Sequence, residues 1–394
     1  MPSLAFERVL TLAIFASAYV GLGLGRLPGF RVDRTGVAII GGAAMVVAGV
    51  LSWDAAVRSV DAHTLVLLFG MMIVAAYLRL SGFFGLVTLW AIRRAEGPRS
   101  LLAAVIAAAG ALSALFVNDV VCLVLAPLVL SVTRRLGLPP VPYLIALATA
   151  ANIGSVATLT GNPQNMLVGS FSNVTYRGFL VRQAPVALLG LACVLAVVWL
   201  VYRRQLPAEF PETGGEERQP VHYPLMVKTL AAVGVMLIAF LAGVPIAIVA
   251  IAGAACTLLT RRVKPEKVYR EINWSLLVLF AGLFVLTGGL EAAGFTEELG
   301  RWASQVGLHR PAVLLFKPII PTLGEPDRAW LILAMSSTLA GNLTLIGSVA
   351  NLIVVEAARS ARIQVGFLEY CKVGVPLTLV TLAIGWLVLV LVPV

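Results

Sequence analysis

Charge is scarce in this chain. Asp, Glu, Lys and Arg make up only 12% of its 394 residues, too few to coat the surface of a soluble fold. Histidine is scarcer still. His63, His222 and His309 are scattered through loops and show no metal-ligand spacing. The four cysteines (Cys122, Cys193, Cys256 and Cys371) lie far apart and form no C-x-x-C pair, which argues against both a disulfide framework and a zinc site. Apolar stretches hold no Ser–His pair and no second acid beside Asp119, so the nucleophile and metal chemistries of intramembrane hydrolases are missing. The reading is therefore not an enzyme and without a cofactor.

What the chain has is apolar sequence. Hydrophobic residues reach 60% and the mean hydropathy is +0.96. Such a composition suits an all-α polytopic membrane protein with the lipid bilayer as its partner. The net charge of +10 belongs to cytoplasmic loops rather than to nucleic-acid binding. A crossing helix needs about 20 apolar residues. That ruler finds spans near 9–25, 36–51, 64–80, 184–202, 226–242, 244–260, 274–290 and 373–392, and two longer interrupted regions at 100–172 and 311–358. If the first span runs inward, the loops on its far side hold 21 of the 29 basic residues and the opposite face holds 8. This asymmetry predicts an inner-membrane protein with both termini outside.

The interruptions repeat. Thr158, Gly161 and Asn165 form a T-x-x-G-x-x-x-N run, and Thr344, Gly347 and Asn351 form the same run in the second half, at one constant offset. Asn152 and Gly154 precede the first, and Asn342 precedes the second. Upstream, Gly82-Phe83 is echoed by Gly294-Phe295, each followed by a short amphipathic stretch, 84–94 and 296–306. Three spans precede each copy. An odd number inverts the second copy, so the expectation is two inverted repeats: 1–204, a cytoplasmic linker 205–224, and 225–394. Broken helices are expected at 143–172 and 329–358. Unwinding at mid-bilayer frees backbone groups that cost several kcal/mol each in lipid, so such breaks persist where they line a cavity or hold an ion. The plain alternative is that Gly and Asn ease helix packing.

A third break falls at Asn118-Asp119. Arg99 lies before it and Arg134-Arg135 after it, so 100–133 reads as a re-entrant hairpin with both ends on the basic side. An acid at mid-membrane is a functional candidate, here a proton carrier, because charge there costs roughly 3 kcal/mol or more. The competing account is that Asp119 caps the second arm. The second copy has about 21 fewer residues at the matching place, the length of one hairpin arm. His309-Arg310-Pro311 stands there instead of a tip, so the second hairpin is expected to be shortened. Lys317, in the short apolar run beside Pro318, snorkels to the interface in the safer account and contacts an anion in the other.

Together, Phe116-Val-Asn118-Asp119 with Pro127, the run Ala151–Asn165 and the run Ala340–Asn351 resemble the ion transporter superfamily, in particular its arsenite-permease and anion-permease (citrate-transporter-like) branch, related to the divalent anion:sodium symporters. The resemblance implies a scaffold domain and a moving transport domain, elevator-type alternating access, and often a homodimer. It implies a substrate or ion site from Asn118, Asp119, Asn152, Gly154, Thr158, Gly161, Asn162 and Asn165 in one half, and Asn342, Thr344, Gly347 and Asn351 in the other. The expected function is secondary transport of a small anion or oxyanion. The tip reads Val-Asn-Asp where the sodium-coupled branch carries Ser-Asn-Thr, which puts Na+ coupling in doubt and favours H+ as coupling ion, or no coupling. Two alternatives stay open: an arsenite or Na+/H+-type efflux carrier of the same superfamily, and a transport-inactive membrane protein that lacks the second hairpin arm.

Overall fold

The computed structural model describes residues 4–24, 30–211, 221–260, 262–295, 320 and 324–391. Every long element among them is helical. The first half holds α1 (Leu4–Leu24), α2 (Arg34–Val47), α3 (Trp53–Ser59), α4 (Ala62–Leu80), α5 (Phe83–Arg94), α6 (Pro98–Leu115), α7 (Asn118–Arg135), α8 (Pro140–Ser155), α9 (Pro163–Phe171) and α10 (Tyr176–Tyr202). The second holds α11 (Tyr223–Leu241), α12 (Ile246–Leu258), α13 (Pro265–Arg270), α14 (Trp274–Ala292), α15 (Pro326–Ala340), α16 (Val349–Ser360) and α17 (Phe367–Leu391). Seven of these helices are long and apolar enough to cross a membrane. The chain is a multi-pass membrane protein.

The halves are related by reciprocal contacts. Helices α4 and α14 have the same length, and both their ends are separated by one offset. Each is capped by the side chain just before it: Asp61 accepts from Thr64 N at 2.6 Å and Asn273 from Leu276 N at 3.1 Å. Helix α4 packs on α12, and α14 packs on α2. An ideal Cβ on Gly70 would lie 2.7 Å from the Ala250 carbonyl oxygen, and one on Gly282 would lie 2.8 Å from that of Ala38. The same offset takes Gly70 to Gly282 and Ala38 to Ala250, so the two crossings are copies. Only small residues let helix backbones approach so closely. Gly82 and Gly294, related by that offset too, both turn the chain through positive φ after the third span of each half, at 82° and 76°.

Several boundaries differ from the sequence reading. Helix α10 starts at Tyr176, well before 184, because Thr175 caps it and Pro185 is carried inside it. Helices α2 and α12 are shorter than their predicted spans, 14 and 13 residues. Short helices α3 and α13 were not foreseen; Ser52 caps the first and Pro265 sits in the first turn of the second. The linker expected at 205–224 is described only at 205–211 and 221–224. The shortened second hairpin, the amphipathic stretch 296–306, His309-Arg310-Pro311 and Lys317 lie outside the described residues. The offset between the copies is smaller after that stretch than before it. Gly82 matches Gly294, whereas Thr158 matches Thr344, so the chain between these points is shorter in the second half.

At the centre lies α8, buried from Pro142 through Ser155. It is surrounded by α6, α7, α10 and α16. Helices α6 and α7 form two arms that meet at Phe116-Val117. Helix α8 packs on α16 and α15 packs on α9, a second reciprocal pair.

Candidate functional site

Each central helix is broken in the same way. Helix α8 stops at Ser155, and Pro163, which has no N–H to offer, starts α9. Asn162 caps α9 by accepting from Asn165 N at 2.8 Å. The freed carbonyls of Ser155 and Thr158 accept from Asn165 Nδ2 at 2.9 and 2.8 Å. In the second half α15 stops at Ala340, a 3-10 turn spans Leu345–Gly347, and Ser348 caps α16 by accepting from Ala350 N at 3.2 Å. The carbonyls of Gly341 and Thr344 accept from Asn351 Nδ2 at 2.9 and 3.2 Å. Donor and both acceptors have moved along the chain by one common offset. The glycines repeat too: an ideal Cβ on Gly161 would lie 2.3 Å from Ser155 O, and one on Gly347 2.8 Å from Gly341 O. In both breaks one buried asparagine thus satisfies two of the freed carbonyls, which lowers the cost of unwinding inside a membrane.

The breaks meet at Asn152. Its Nδ2 donates to Asn342 Oδ1 at 2.8 Å and Asn351 Oδ1 at 3.0 Å. Its Oδ1 accepts from Ser348 Oγ at 3.0 Å and Asn118 Nδ2 at 2.9 Å. A second junction forms at Thr338, which accepts from Asn162 Nδ2 at 3.1 Å and donates to Asn165 Oδ1 at 3.4 Å. All these asparagines are at most 5% exposed. An interior polar network of this kind is stable only when its members are satisfied. One atom is not: Asn118 Oδ1 is buried with no partner among the described residues.

The hairpin tip is tied to the first break. Asn118 N donates to Gly161 O at 2.9 Å, and Thr158 Oγ1 donates to Ala114 O at 2.6 Å. The arm beside it approaches α8 so closely that a Cβ on Gly154 would lie 2.2 Å from Gly110 O. Asp119 follows in the first turn of α7 and is 6% exposed. No described residue hydrogen-bonds its carboxylate. The second break has a different cover. Thr160 is fully buried, whereas Ile346, its counterpart in the second copy, is 49% exposed. Gly347 is exposed and Thr344 half-buried. From α2, Arg34 reaches this break and donates to Ile346 O at 3.3 Å.

The twelve residues singled out in the sequence thus fall into groups. Asn118, Asn152, Asn342 and Asn351 form one bonded chain. Asn162 and Asn165 belong to the junction at Thr338. Thr158 pins the hairpin, and Gly154 and Gly161 allow close packing. Asp119 stands beside the chain at the tip, while Thr344 and Gly347 lie at the more open second break. Sequence reasoning missed Thr338, Ser348 and Ser155, whose Oγ accepts from Asn162 Nδ2 at 2.8 Å. The constant spacing contained the signal, since it sets Thr338 opposite Asn152 and Ser348 opposite Asn162. Among the described residues no group of three His, Cys, Asp or Glu could hold a metal ion.

Comparison with known proteins agrees with this architecture. A family model described as "Citrate transporter" matches residues 19–322. A silicon efflux transporter of Oryza sativa subsp. japonica is 29% identical over 480 aligned positions, covering 98% of this chain and 96% of that protein. The inner membrane protein YbiR of Escherichia coli (strain K12) is 29% identical over 358 positions, covering 87% of this chain and 90% of that one. The alignment of 480 positions is longer than the whole chain, so the rice protein carries residues with no counterpart here. The crystal structure of the Alcanivorax borkumensis YdaH transporter, described as having an unusual topology, superposes with a TM-score of 0.57, 16% identity and coverage of 99% and 98%. That likeness concerns the fold.

Proposed function

The chain belongs to the citrate transporter family, a family of transporters rather than enzymes, and on that footing we propose that it is a secondary transporter of a small anion or oxyanion. It works in the inner membrane with both termini outside, as its basic-loop asymmetry suggests. Residues 1–204 and 225–394 are its two inverted repeats, joined by a cytoplasmic linker. The crossed spans α2, α4, α12 and α14 act as scaffold. The hairpin with the broken helices moves past them in an elevator motion. Asp119 takes up the coupling proton, and the Asn118–Asn152 chain holds the geometry around it. The names of the relatives, one a silicon efflux transporter and one an inner membrane protein, support an oxyanion-sized cargo and this location.

One observation carries the reading. Two broken helices from opposite halves are bonded to each other at Asn152, and a buried acid with no hydrogen-bond partner among the described residues follows Asn118, which is bonded to that junction. A bundle built only for stability has no reason to leave an acid there. The test uses proteoliposomes with a pH-sensitive dye inside. Arsenite, phosphate, sulfate and dicarboxylates are added in turn, with and without sodium. The expected result is a substrate-dependent pH change that is lost in Asp119→Asn. Full pH-driven flux in that variant would remove Asp119 from the mechanism.

A further inference from the structure

A narrow crevice lies between α5 and the two hairpin arms. It takes in about 390 Å³, its open side counted, and is walled by α5, α6 and α7 with Tyr143 of α8. Ile92, Leu101, Val105 and Leu125 are among its apolar lining. Three hydroxyl residues also line it, and each has its proton committed to backbone. Thr88 Oγ1 donates to Phe84 O, Thr133 Oγ1 to Val129 O and Tyr143 Oη to Pro98 O, all at 2.9 Å. A trapped water needs about two to four polar partners, and this wall offers it little. Left empty, the slot forfeits dispersion contacts along its lining. In a bilayer the filler at hand is an acyl chain.

The rim is basic. Ile92, Leu101 and Thr133 mark where α5 ends, α6 begins and α7 ends. These ends lie together, because a short connection joins α5 to α6 and the hairpin arms α6 and α7 are antiparallel. Over 92–101 and 132–136 the chain places Arg93, Arg94, Arg99, Arg134 and Arg135 against one acid, Glu96. Arg134 is engaged with Ala361 O. Arg94 and Arg99 are exposed and stacked on rings: Arg94 Cζ lies 5.6 Å from the centroid of Trp90, and Arg99 Cζ 4.9 Å from that of Trp199. A guanidinium stacked by its face keeps its N–H fork at the edge, in the geometry that suits a phosphate. Neither has a carboxylate partner among the described residues. Trp90 itself is 59% exposed, as expected of a ring at the level of lipid headgroups.

We propose that this crevice binds an anionic phospholipid, whose acyl chain fills the slot between α5 and the hairpin arms and whose phosphate is held by Arg94 and Arg99. Tail and head contribute differently. Hydrocarbon inside the slot replaces hydrocarbon outside it, so the tail supplies fit and little preference. The headgroup supplies the choice, since each basic group near an anionic lipid is worth roughly fivefold in binding. The site lies at the far ends of α6 and α7 from the hairpin tip, so it is separate from the Asn152 junction and independent of what the chain carries.

The test is a set of melting curves. The purified, delipidated chain is titrated in detergent with dioctanoyl phosphatidylglycerol, dioctanoyl phosphatidylcholine or inorganic phosphate. Phosphatidylglycerol should raise the melting temperature at a concentration at least tenfold lower than phosphatidylcholine, and phosphate alone should not raise it. Arg94→Gln with Arg99→Gln, both at exposed positions, should bring phosphatidylglycerol to the level of phosphatidylcholine. Ala108→Phe, which fills the slot from α6, should weaken both lipids at least tenfold; the arginine pair keeps the test open if that variant does not fold. Equal potency of the two lipids, or no shift with either, overturns the inference. A preference for phosphatidylglycerol that survives in the arginine pair overturns it, because the rim then does not hold the phosphate. Stabilisation by inorganic phosphate equal to that by phosphatidylglycerol overturns it in favour of an anion site without a tail. Undiminished lipid binding in folded Ala108→Phe overturns it by placing the tail elsewhere.

Discussion

Asn152 and Thr338 occupy equivalent positions in the two repeats, and each is bonded to the other half's helix cap. Ser348 donates to Asn152 Oδ1 at 3.0 Å, and Asn162 donates to Thr338 Oγ1 at 3.1 Å. The same two residues also meet the other half's break asparagine, Asn351 for Asn152 and Asn165 for Thr338. These two pairs of cross-bonds are therefore mates, whereas the bond from Asn152 Nδ2 to Asn342 Oδ1 at 2.8 Å has none, because Val156 stands at the position equivalent to Asn342. The inverted repeat is visible here as hydrogen bonding and not only as helix order.

The two junctions differ in what they support. Replacing Asn152 with Leu orphans Asn118 Nδ2 and leaves Asn342 and Asn351 without their Nδ2 donor. Replacing Thr338 with Val orphans fewer groups. A buried polar atom left alone costs about 1–3 kcal/mol. Asn152→Leu should thus lower the melting temperature of the detergent-purified protein more than Thr338→Val. The reverse order would mean that the hairpin tip gains nothing from Asn152.

Glycines at the site and on the rim should behave oppositely. A methyl group on Gly154 would meet the Gly110 backbone at 2.2 Å, with no flexible side chain to yield. Gly154→Ala should reduce folded yield sharply. Gly234, inside α11, has nothing within 4 Å of its ideal Cβ. There Ala removes the helix penalty of Gly, about 0.8–1.0 kcal/mol in soluble hosts, so Gly234→Ala should leave the melting temperature unchanged or raise it. Size-exclusion yield and thermal melting of the pair decide this.

Much of this architecture was legible in residues. Apolar run lengths gave the crossing helices, and paired T-x-x-G-x-x-x-N runs gave the breaks, because Gly and Asn inside an apolar run are costly unless they serve backbone groups. The helix ends were less legible. Thr175 extends α10 and Ser52 starts α3 through single cap bonds that a hydropathy window averages away. The direction of the amides was not legible at all. It depends on which carbonyls face Asn351 and Asn342, and that is a property of the assembled centre. Thr338 was overlooked for a related reason: a hydroxyl standing where the other half has an amide does not look like a repeat until the bonds are drawn.

The uneven cover of the two breaks can be read chemically. Thr160 and Ile346 are equivalent by spacing, yet the first is fully buried and the second 49% exposed. In a background with Cys122, Cys193, Cys256 and Cys371 replaced, Ile346→Cys should react with a membrane-permeant maleimide at least tenfold faster than Thr160→Cys. Equal rates would mean that both breaks are covered alike in the membrane.

Motion of the broken helices past the scaffold has a direct mechanical test. Thr64 near the start of α4 and Ser170 near the end of α9 meet through their hydroxyls at 3.0 Å. In the proposed elevator these helices would belong to the two bodies that slide apart, and disulfide geometry requires Cβ atoms only about 3.5–4.5 Å apart. In the same cysteine-free background, Thr64→Cys with Ser170→Cys should cross-link under mild oxidation. A carrier that moves α9 along α4 loses flux when linked and regains it when reduced, while each single variant keeps its flux under oxidant. Alternating access by local gating alone leaves this contact in place throughout the cycle. Complete cross-linking with flux retained therefore excludes the elevator and keeps the site.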